Sequence, residues 1–319
     1  MKYLFGPVPS RRLGKSLGID PILLKTCNWN CVYCQLGRTV PLSFQRREDI
    51  PLEAILVELD EALQSLQPED VDWITIVGSG EPALYRPLDR LVAGIRARTD
   101  LPLAVITNGS LLYLPEVRAA LKDVDLVMPS LDAGNADLYK RLNRPHPEAS
   151  FDRLIDGLVQ FRKDFSGKLW LEVMLVAGWN DSEEALQEIA ACIQAIRPDV
   201  VHLNLPTRPP AEVWVKPPSG DGVRRAIEIL GDVAVVVPPQ TGDFSLVVNE
   251  QLAEQVYSIV SRHPMSEAQI LAALHPLDAD KDEVIARLET SELLQVVERH
   301  GQRFWTARPT HFPATGMGR

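Results

Sequence analysis

The sequence predicts an α/β fold, a partial (β/α)6 TIM-like barrel followed by a small winged-helix-like domain. Two observations predict the barrel. Strand-like and helix-like segments alternate six times through the first three-quarters of the 319 residues. The strand-like segments are continuous apolar runs, which is typical of a parallel sheet covered by helices on both faces. The end of this alternation near Asn249 predicts the second domain.

The elements of the predicted barrel follow one another as six strand-and-helix units. Apolar residues at Leu52, Ile55, Leu56 and Leu59 mark one face of the first helix. The six predicted strands are "GIDPILLKT" (18–26), "WITIVG" (73–78), "LAVITNG" (103–109), "DLVMPSLD" (125–132), "LWLEVMLV" (169–176) and "VVHLNLP" (200–206).

The C-terminal part is predicted to contain three helices and a β wing. The helices are expected within residues 249–264, 266–275 and 280–301, and "QRFWTARP" (302–309) is expected to be a strand of a small hairpin. We therefore predict a barrel domain over residues 1–245, a winged-helix-like domain over 246–308 and a flexible tail over 309–319.

Composition and charge limit the class of protein. The chain has 45% hydrophobic and 24% charged residues, enough to bury a sizeable core. Its longest apolar runs, such as "DVAVVVP" (232–238), are far shorter than the roughly 20 residues that cross a bilayer, and its N-terminus lacks a signal-peptide pattern. We expect a cytoplasmic protein without a membrane partner, where clustered cysteines indicate metal or redox chemistry rather than disulfides.

The net charge of −10 is unevenly distributed. Residues 1–47 contain eight basic residues and one acidic residue, a net charge of +7 that leaves −17 on the remainder. This basic segment could attract an anionic substrate or an acidic electron donor. For any single one of these residues, a solvated surface position is an equally good explanation.

Polar residues follow four of the predicted strands. The segments "VGSGEP", "TNGS", "SLDA" and "NLPTRPP" each lie at or directly after a strand end. Because the carboxyl ends of parallel barrel strands meet at one face, these segments predict a single site at the top of the barrel.

Three of the four cysteines lie within eight residues, in "KTCNWNCVYCQLG" (25–37). Cys27, Cys31 and Cys34 have the spacing C-x3-C-x2-C, which only a loop can wrap around one centre. A structural zinc site needs four ligands, and the next Cys or His is His146, in a Pro-rich loop where a solvated side chain is the simpler interpretation. A 4Fe–4S cluster held by three thiolates would instead leave one iron open to a substrate or cofactor.

With the aromatic Tyr33 directly before the last cysteine, this loop resembles the signature of the radical S-adenosylmethionine (SAM) superfamily. The resemblance implies a partial (β/α)6 barrel in which Cys27, Cys31 and Cys34 ligate a 4Fe–4S cluster and the open iron binds SAM. It also implies reductive cleavage of SAM to methionine and a 5′-deoxyadenosyl radical, which abstracts hydrogen from a substrate.

Further segments match positions of that superfamily. "GSGEP", from Gly78 to Pro82, is similar to its Gly-Gly-Glu-Pro motif, with Ser79 between the glycines, so that Gly80 and Glu81 are expected to hold the SAM amino group. The resemblance places three more residues near the SAM carboxylate or ribose, namely Asn108, Ser130 and Asp132.

Residues 1–245 are similar to the branch of the superfamily grouped with the tRNA wyosine synthases. Wyosine synthases carry further cysteines for a second cluster, whereas this chain has only Cys192, in a predicted helix, where a small buried hydrophobe is the expected role. A single cluster is therefore expected, and an RNA base-modifying activity of the wyosine type is kept as an alternative.

Two nucleotide-binding patterns are only partly matched. "VGSGEPA" has Ala83 where G-x-G-x-x-G requires its last glycine. "LGKS" (13–16) resembles the end of a P-loop, but the first glycine of that pattern would fall at Pro9, which has no N–H for a phosphate. We reject both interpretations.

The sequence thus predicts a radical SAM enzyme with a reduced electron donor such as flavodoxin or ferredoxin, and with a peptide, protein, RNA or small-molecule substrate. The alternative from another class is a winged-helix redox sensor, which would not need the "GSGEP" segment. Residues 249–308 carry ten acidic and six basic residues, a net charge of −4, so we expect no affinity for duplex DNA. This domain is expected to dock on the barrel or bind a protein or peptide, with Phe304 and Trp305 packing the wing.

Overall fold

The computed structural model describes residues 2–238, 252–273, 281–299, 301–308 and 310–312. Its main sheet has eight strands, which lie side by side in the order of the sequence. The first two pair antiparallel, and every later neighbour pairs parallel. The strands are β1 (Leu4–Ser10), β2 (Gly14–Ile19), β3 (Trp73–Ile76), β4 (Leu103–Thr107), β5 (Leu126–Pro129), β6 (Lys168–Met174), β7 (Val200–Asn204) and β8 (Ala234–Val236).

Seven helices connect the parallel strands and cover the outside of the sheet. Several begin at a side-chain cap that accepts a backbone N–H, such as Ser150, Ser182 and Ser219. Since β1 and β8 are the two edges of the sheet that the structure describes, the barrel is partial, as the sequence predicts. The helices are α1 (Leu52–Ser65), α2 (Leu88–Arg96), α3 (Pro115–Ala120), α4 (Ala136–Leu142), α5 (Phe151–Asp164), α6 (Glu183–Ile196) and α7 (Gly220–Leu230).

The alternation of side chains along each strand separates two environments. In β6, Leu169, Leu171 and Val173 are fully buried in the large core shared with the helices. The residues between them, such as Trp170 and Glu172, lie on the opposite face, inside the barrel. The outer layer therefore supplies the main apolar core, and the barrel interior can hold polar groups.

The N-terminal region differs from the prediction. The first strand of the barrel is β2 rather than residues 18–26, which continue from Gly18 and Ile19 into the cysteine loop. It is preceded by β1, which the sequence does not predict because Pro7 and Pro9 argue against a strand. An edge strand tolerates proline, and β1 has an irregular register between Phe5 and Val8.

The C-terminal part forms a three-stranded antiparallel sheet with three helices. The strand predicted at 302–309 is confirmed as the last one, but the helix predicted over 280–301 is wrong beyond Glu289. Residues 294–299 instead form a strand, because all six pair with the strand that follows. The elements are α8 (Leu252–Val260), β9 (Met265–Ser266), α9 (Glu267–Ala273), α10 (Lys281–Glu289), β10 (Leu294–Arg299) and β11 (Gln302–Ala307).

The predicted domain boundary at 245/246 lies outside the described residues. In the predicted tail, only residues 310–312 are described, and there Arg38 donates its backbone N–H to the carbonyl of His311 at 2.9 Å. Among the helices that the structure describes, none is long and apolar enough to cross a membrane.

The C-terminal part docks on the barrel through β1. Phe5 and Val8 share an apolar cluster with Leu252, Val256 and other residues of the C-terminal helices. Phe5 can pack against β2 because residue 18 is glycine, where a Cβ would come within 2.1 Å of the Phe5 ring. The predicted docking is therefore confirmed, with the β1–β2 hairpin as its platform.

A buried ion pair reinforces this docking. Arg262, just after α8, donates its Nε to the Asp20 carboxylate at 2.9 Å and its Nη2 to the Lys2 carbonyl at 3.1 Å. The Asp20 side chain is only 2% exposed and that of Arg262 12%. Burial raises the pKa of Asp20, and Arg262 opposes that shift.

Replacing Arg262 tests how much this ion pair contributes to the free energy of unfolding. Arg262→Gln should lower the free energy of unfolding by about 3–5 kcal/mol, because it leaves the Asp20 carboxylate buried without its counter-charge. Urea denaturation measures this loss, and Arg287→Gln, at an exposed position of α10, serves as control. The double variant Arg262→Gln/Asp20→Asn should recover most of the stability. If Arg262→Gln were as stable as the unaltered protein, the ion pair would not hold the two parts together.

Candidate active site

The cysteine loop follows β2 and is anchored in the barrel core at two points. Trp29 and Val32 are almost fully buried, and Trp29 packs edge-on against Tyr139 with ring centroids 5.3 Å apart. The backbone N–H of Val32 donates to the carbonyl of Leu142 at 2.9 Å. These anchors fix the segment that carries the three cysteines.

Each of the three thiols lies next to at least one N–H donor. The backbone N–H of Trp29 is 3.4 Å from the Cys27 sulfur, and the Asn143 amide is 3.7 Å from that of Cys31. The ammonium group of Lys25 is 3.4 Å from the Cys34 sulfur. Hydrogen bonds to sulfur stabilise the thiolate form, which is the form that binds iron.

The thiols are also close enough to affect one another. Burial raises the pKa of Cys27 to about 12, with further contributions from Glu81 and Cys34. Burial likewise raises the pKa of Cys31 well above its usual value, with contributions from Cys27, Asp132 and Cys34. A bound cation would reverse this effect, because it replaces the thiol protons and offsets the charge of the thiolates.

In the part of the chain that the structure describes, no group of three or more His, Cys, Asp or Glu side chains is arranged to hold a single metal ion. A cluster in which each cysteine binds a different iron does not require the sulfurs to converge on one point. The three half-buried thiols and their N–H donors therefore fit an iron–sulfur cluster as a donor set.

The "GSGEP" turn is joined to the cysteine loop by two backbone hydrogen bonds. Lys25 N–H donates to the Ser79 carbonyl at 2.7 Å, and Glu81 N–H donates to the Thr26 carbonyl at 2.9 Å. At Gly80 a Cβ would lie 2.0 Å from the Thr26 oxygen, so that only glycine allows this approach. The two segments that the sequence motifs assign to the cluster and to SAM thus form one structural unit.

Glu81 joins the ends of two neighbouring strands. Its buried carboxylate accepts hydrogen bonds from the Thr107 hydroxyl at 2.5 Å, the Asn108 N–H at 2.6 Å and the Ala83 N–H at 2.8 Å. Burial raises the pKa of Glu81, and these three donors oppose the shift. A carboxylate offers about four acceptor positions, so the group can accept one more hydrogen bond.

A network of polar side chains lies between the cysteine loop and the end of β4. The Asn108 amide donates to the Asn28 oxygen at 2.7 Å, and the Asn28 amide donates to the Ser110 hydroxyl at 2.7 Å. The Ser110 hydroxyl in turn bonds the Asn108 oxygen at 2.7 Å. Asn28, which the sequence motifs do not single out, is completely buried directly after the first cysteine of the loop.

Asp132 is hydrogen-bonded to Tyr33 of the cysteine loop. It accepts hydrogen bonds from the Tyr33 hydroxyl, from the Asn143 amide at 2.6 Å and from the Met174 N–H at 2.8 Å. Only 2% of the residue is exposed. In the structure, Asp132 therefore braces Tyr33 and the end of β6. The sequence motifs do not single out Asn143 either. Its amide contacts Cys31, which is 112 residues away in the chain, and no local pattern indicates such a contact.

A cleft opens where the cysteine loop, the "GSGEP" turn and the ends of β3, β4 and β5 meet. Of the predicted site residues, Cys34, Pro82 and Asp132 are not part of its wall. The others line it together with Trp29, Val77, Ile106 and Thr107; they are Cys27, Cys31, Tyr33, Gly78, Gly80, Glu81, Asn108 and Ser130.

The C-terminal part contacts this site through hydrogen bonds of Arg262. Ser79 donates its hydroxyl to the Asp20 carboxylate at 2.8 Å, and Asp20 is the residue paired with Arg262. The carbonyl of Arg262 accepts a hydrogen bond at 2.9 Å from the amide of Gln35, which directly follows the last cysteine of the loop. The residue that interrupts the glycine pair of the motif thus links the turn to the C-terminal part.

Comparison with known proteins agrees with this geometry. A sequence model of the radical SAM superfamily matches residues 22–190. A UPF0026 protein of Methanocaldococcus jannaschii is 33% identical over 309 residues, which are 96% of each chain. A protein of Brachyspira hyodysenteriae named GTPase Obg is 38% identical over 293 residues; this match covers 91% of the present chain but only 43% of that protein.

Among solved structures, Streptococcus suis SuiB bound to S-adenosylmethionine aligns with a TM-score of 0.52 at 18% identity, over 71% of this chain and 50% of SuiB. This likeness shows a shared fold. A 4Fe–4S cluster and SAM are the cofactors of the superfamily whose sequence model matches here. By its cysteine loop, its partial barrel and its sequence, the chain belongs to the radical SAM superfamily.

Proposed function

We propose that this protein is a radical SAM enzyme with one 4Fe–4S cluster, held by Cys27, Cys31 and Cys34. The observation that carries the proposal is a loop with three half-buried thiols, each beside an N–H donor. Backbone hydrogen bonds join this loop to the "GSGEP" turn. When bound, the cluster and SAM supply an electron and, from SAM cleavage, a 5′-deoxyadenosyl radical that takes hydrogen from the substrate.

The residues of the chain bind and orient these cofactors, and they exclude water from them. We assign the SAM amino group to Glu81 and to the backbone around Gly80, because the Glu81 carboxylate lies in the cleft wall with one acceptor position to spare. Gly78, Asn108 and Ser130 line the same cleft and are proposed as further SAM contacts. Pro82 and Asp132 are assigned supporting roles outside the wall.

One cluster is proposed rather than two. The fourth cysteine, Cys192 on α6, is partly buried against the barrel core, and its sulfur lies 3.7 Å from the Gly134 carbonyl. Nothing in these contacts resembles the donor environment of the other three thiols. We therefore treat wyosine-type chemistry, which uses a second cluster, as the less favoured alternative.

A redox sensor and a GTPase are both less well supported by the contacts of the site. A redox sensor would have no need for a buried carboxylate in a cleft beside the cluster loop. The GTPase named in the Brachyspira relative is not proposed for this chain, because "LGKS" leads into β2 instead of a helix, and Lys15 bonds the Glu69 carbonyl at 2.9 Å.

The C-terminal part is proposed to be a winged-helix-like module that serves the barrel. In support, the order of its described elements, helix, strand, two helices and two strands, is typical of a winged helix. Phe304 and Trp305 are buried in it, so they pack the sheet and are not available to stack on bases. The first turn of α10 carries Asp282 and Glu283, which would repel phosphates, so we propose no function in duplex DNA binding.

An electron donor is the remaining proposed partner. The basic excess of residues 1–47 surrounds the cysteine loop in sequence, and a reduced flavodoxin or ferredoxin would be attracted to it by charge. A cytoplasmic location, where such donors operate, belongs to the same proposal.

The cysteines provide the first test. After anaerobic reconstitution with iron and sulfide, Cys27→Ala, Cys31→Ala and Cys34→Ala should each lose most of the iron and all dithionite-dependent formation of 5′-deoxyadenosine from SAM. Cys192→Ala is the matched control and should keep both. Half the iron lost in the Cys192 variant would disprove the single cluster, and no 5′-deoxyadenosine from the unaltered protein would disprove the enzyme.

The Glu81 assignment is tested by SAM affinity. Glu81→Gln should keep the cluster absorbance but bind SAM at least about tenfold more weakly in calorimetry, because a charge-assisted hydrogen bond to the amino group is lost. Glu116→Gln, whose side chain is 59% exposed, is the control. Thermal melting checks that the Glu81 variant is folded, and unchanged SAM affinity in that folded variant would remove the assignment.

A further inference from the structure

The interior of the barrel contains a second polar cluster, separate from the cysteine cleft. Strand alternation places Glu172 of β6 and Asn204 of β7 on the inner face. From the β1–β2 turn, Arg12 reaches the Glu172 carboxylate and Arg11 reaches the Asn204 oxygen, at 3.5 Å. The Asn204 amide completes the cluster by donating to Glu172 at 3.3 Å.

A cavity of about 80 Å³ lies beside this cluster. Its wall includes three arginines, Arg11, Arg12 and Arg208. It also includes Val77 and Ile106, and the same two side chains form part of the wall of the cysteine cleft. The arginine cavity and the cysteine cleft are therefore neighbours, with two apolar side chains between them.

The cavity has an excess of positive charge, because three arginines line it and the cluster beside it contains one carboxylate, that of Glu172. Burial, together with Arg11 and Arg208, lowers the pKa of Arg12 to about 9. The same arginines contribute to lowering the pKa of His263, another wall residue, to about 3, after the larger effect of burial. The guanidinium charges repel one another, and a bound anion would offset this repulsion.

Three buried polar atoms of this region have no hydrogen-bond partner in the described residues. They are the Nε of Arg12, the Nδ1 of His263 and the Nδ1 of His202, which lies beside Trp170 on the inner face. Buried polar atoms without partners cost free energy, so their presence in one region indicates a ligand that supplies acceptors or donors.

The dimensions and the donor type restrict that ligand. A cavity of about 80 Å³ accommodates a single phosphate or carboxylate group but not a nucleobase or a peptide segment. Guanidinium groups present paired N–H donors that match the oxygens of both groups. An oxyanion is therefore the ligand class that fits the charge, the size and the donors of the cavity.

We propose that this cavity is a substrate subsite in which Arg11 and Arg12 bind a phosphate or carboxylate group of the substrate. The shared wall at Val77 and Ile106 then directs the rest of the substrate toward the cysteine cleft. As a substrate subsite, this inference rests on the proposed radical SAM function. The binding of an oxyanion can be measured without turnover.

Calorimetry on the anaerobically reconstituted full chain tests the inference, with inorganic phosphate and acetate as probes in separate titrations. We expect saturable binding of at least one of them to a single site, and the anion that binds identifies the substrate as a phosphate ester or a carboxylic acid. Arg12→Gln should weaken this binding by about tenfold or more, because a charge-assisted contact is lost. Arg224→Gln on α7, at a side chain that is 69% exposed, should bind as the unaltered protein does.

A double variant protects the experiment against misfolding. Because Arg12→Gln leaves the Glu172 carboxylate without its guanidinium, Arg12→Gln/Glu172→Gln removes both charges and should be folded by circular dichroism while still failing to bind the anion. Failure of both probes to bind the unaltered protein, or equal binding by the folded double variant, would overturn the inference.

The proposed function is tested independently, by measuring 5′-deoxyadenosine formation in the unaltered protein. Anion binding without SAM cleavage would leave the subsite standing and reject the radical SAM activity. SAM cleavage without anion binding would support the radical SAM activity and reject the subsite.

Discussion

The site depends on two backbone hydrogen bonds between the cysteine loop and the "GSGEP" turn, from Lys25 to Ser79 and from Glu81 to Thr26. They bring the segment that carries the thiols and the segment assigned to SAM into one rigid unit, and only glycine at position 80 permits the approach. Backbone bonds of this kind do not depend on side-chain rotamers. Under the proposed assignment, the fold sets the relative position of the cluster site and the SAM site, which is the preorganisation that catalysis requires.

Three buried carboxylates stabilise this unit, and each joins elements that are distant in sequence. Glu81 connects the ends of β3 and β4, Asp132 connects Tyr33 to β6, and Asp20 connects the "GSGEP" turn to Arg262 of the C-terminal part. Burial of a carboxylate is unfavourable unless donors surround it, and each of the three accepts at least three hydrogen bonds. The C-terminal part is thereby coupled to the geometry of the site, although none of its described residues lies in the cleft wall.

Much of this arrangement could be predicted from the sequence, because its signals are local. The spacing of the cysteines, the "GSGEP" turn and the apolar strands are each contained in short segments, and five of the six predicted strands are found where the pattern indicates. The β1 strand was missed because its prolines are acceptable only at an edge. The predicted end of the helix at residue 301 is wrong, because cross-strand pairing decides the structure of residues 294–299. The link between Arg262 and Asp20 spans 242 residues, and no local pattern can indicate such a contact.

Whether the cluster and SAM sites depend on the contact between loop and turn is tested most directly by Gly80→Ala, measured for iron content and SAM affinity after anaerobic reconstitution. The added Cβ would meet the Thr26 carbonyl at 2.0 Å, so the loop and the turn must separate. We expect the folded variant to lose SAM affinity and iron together, whereas Gly220→Ala, with no heavy atom nearer than 3.6 Å to the new Cβ, should keep both. Full iron content and unaltered SAM affinity in Gly80→Ala would show that the two sites do not depend on this contact.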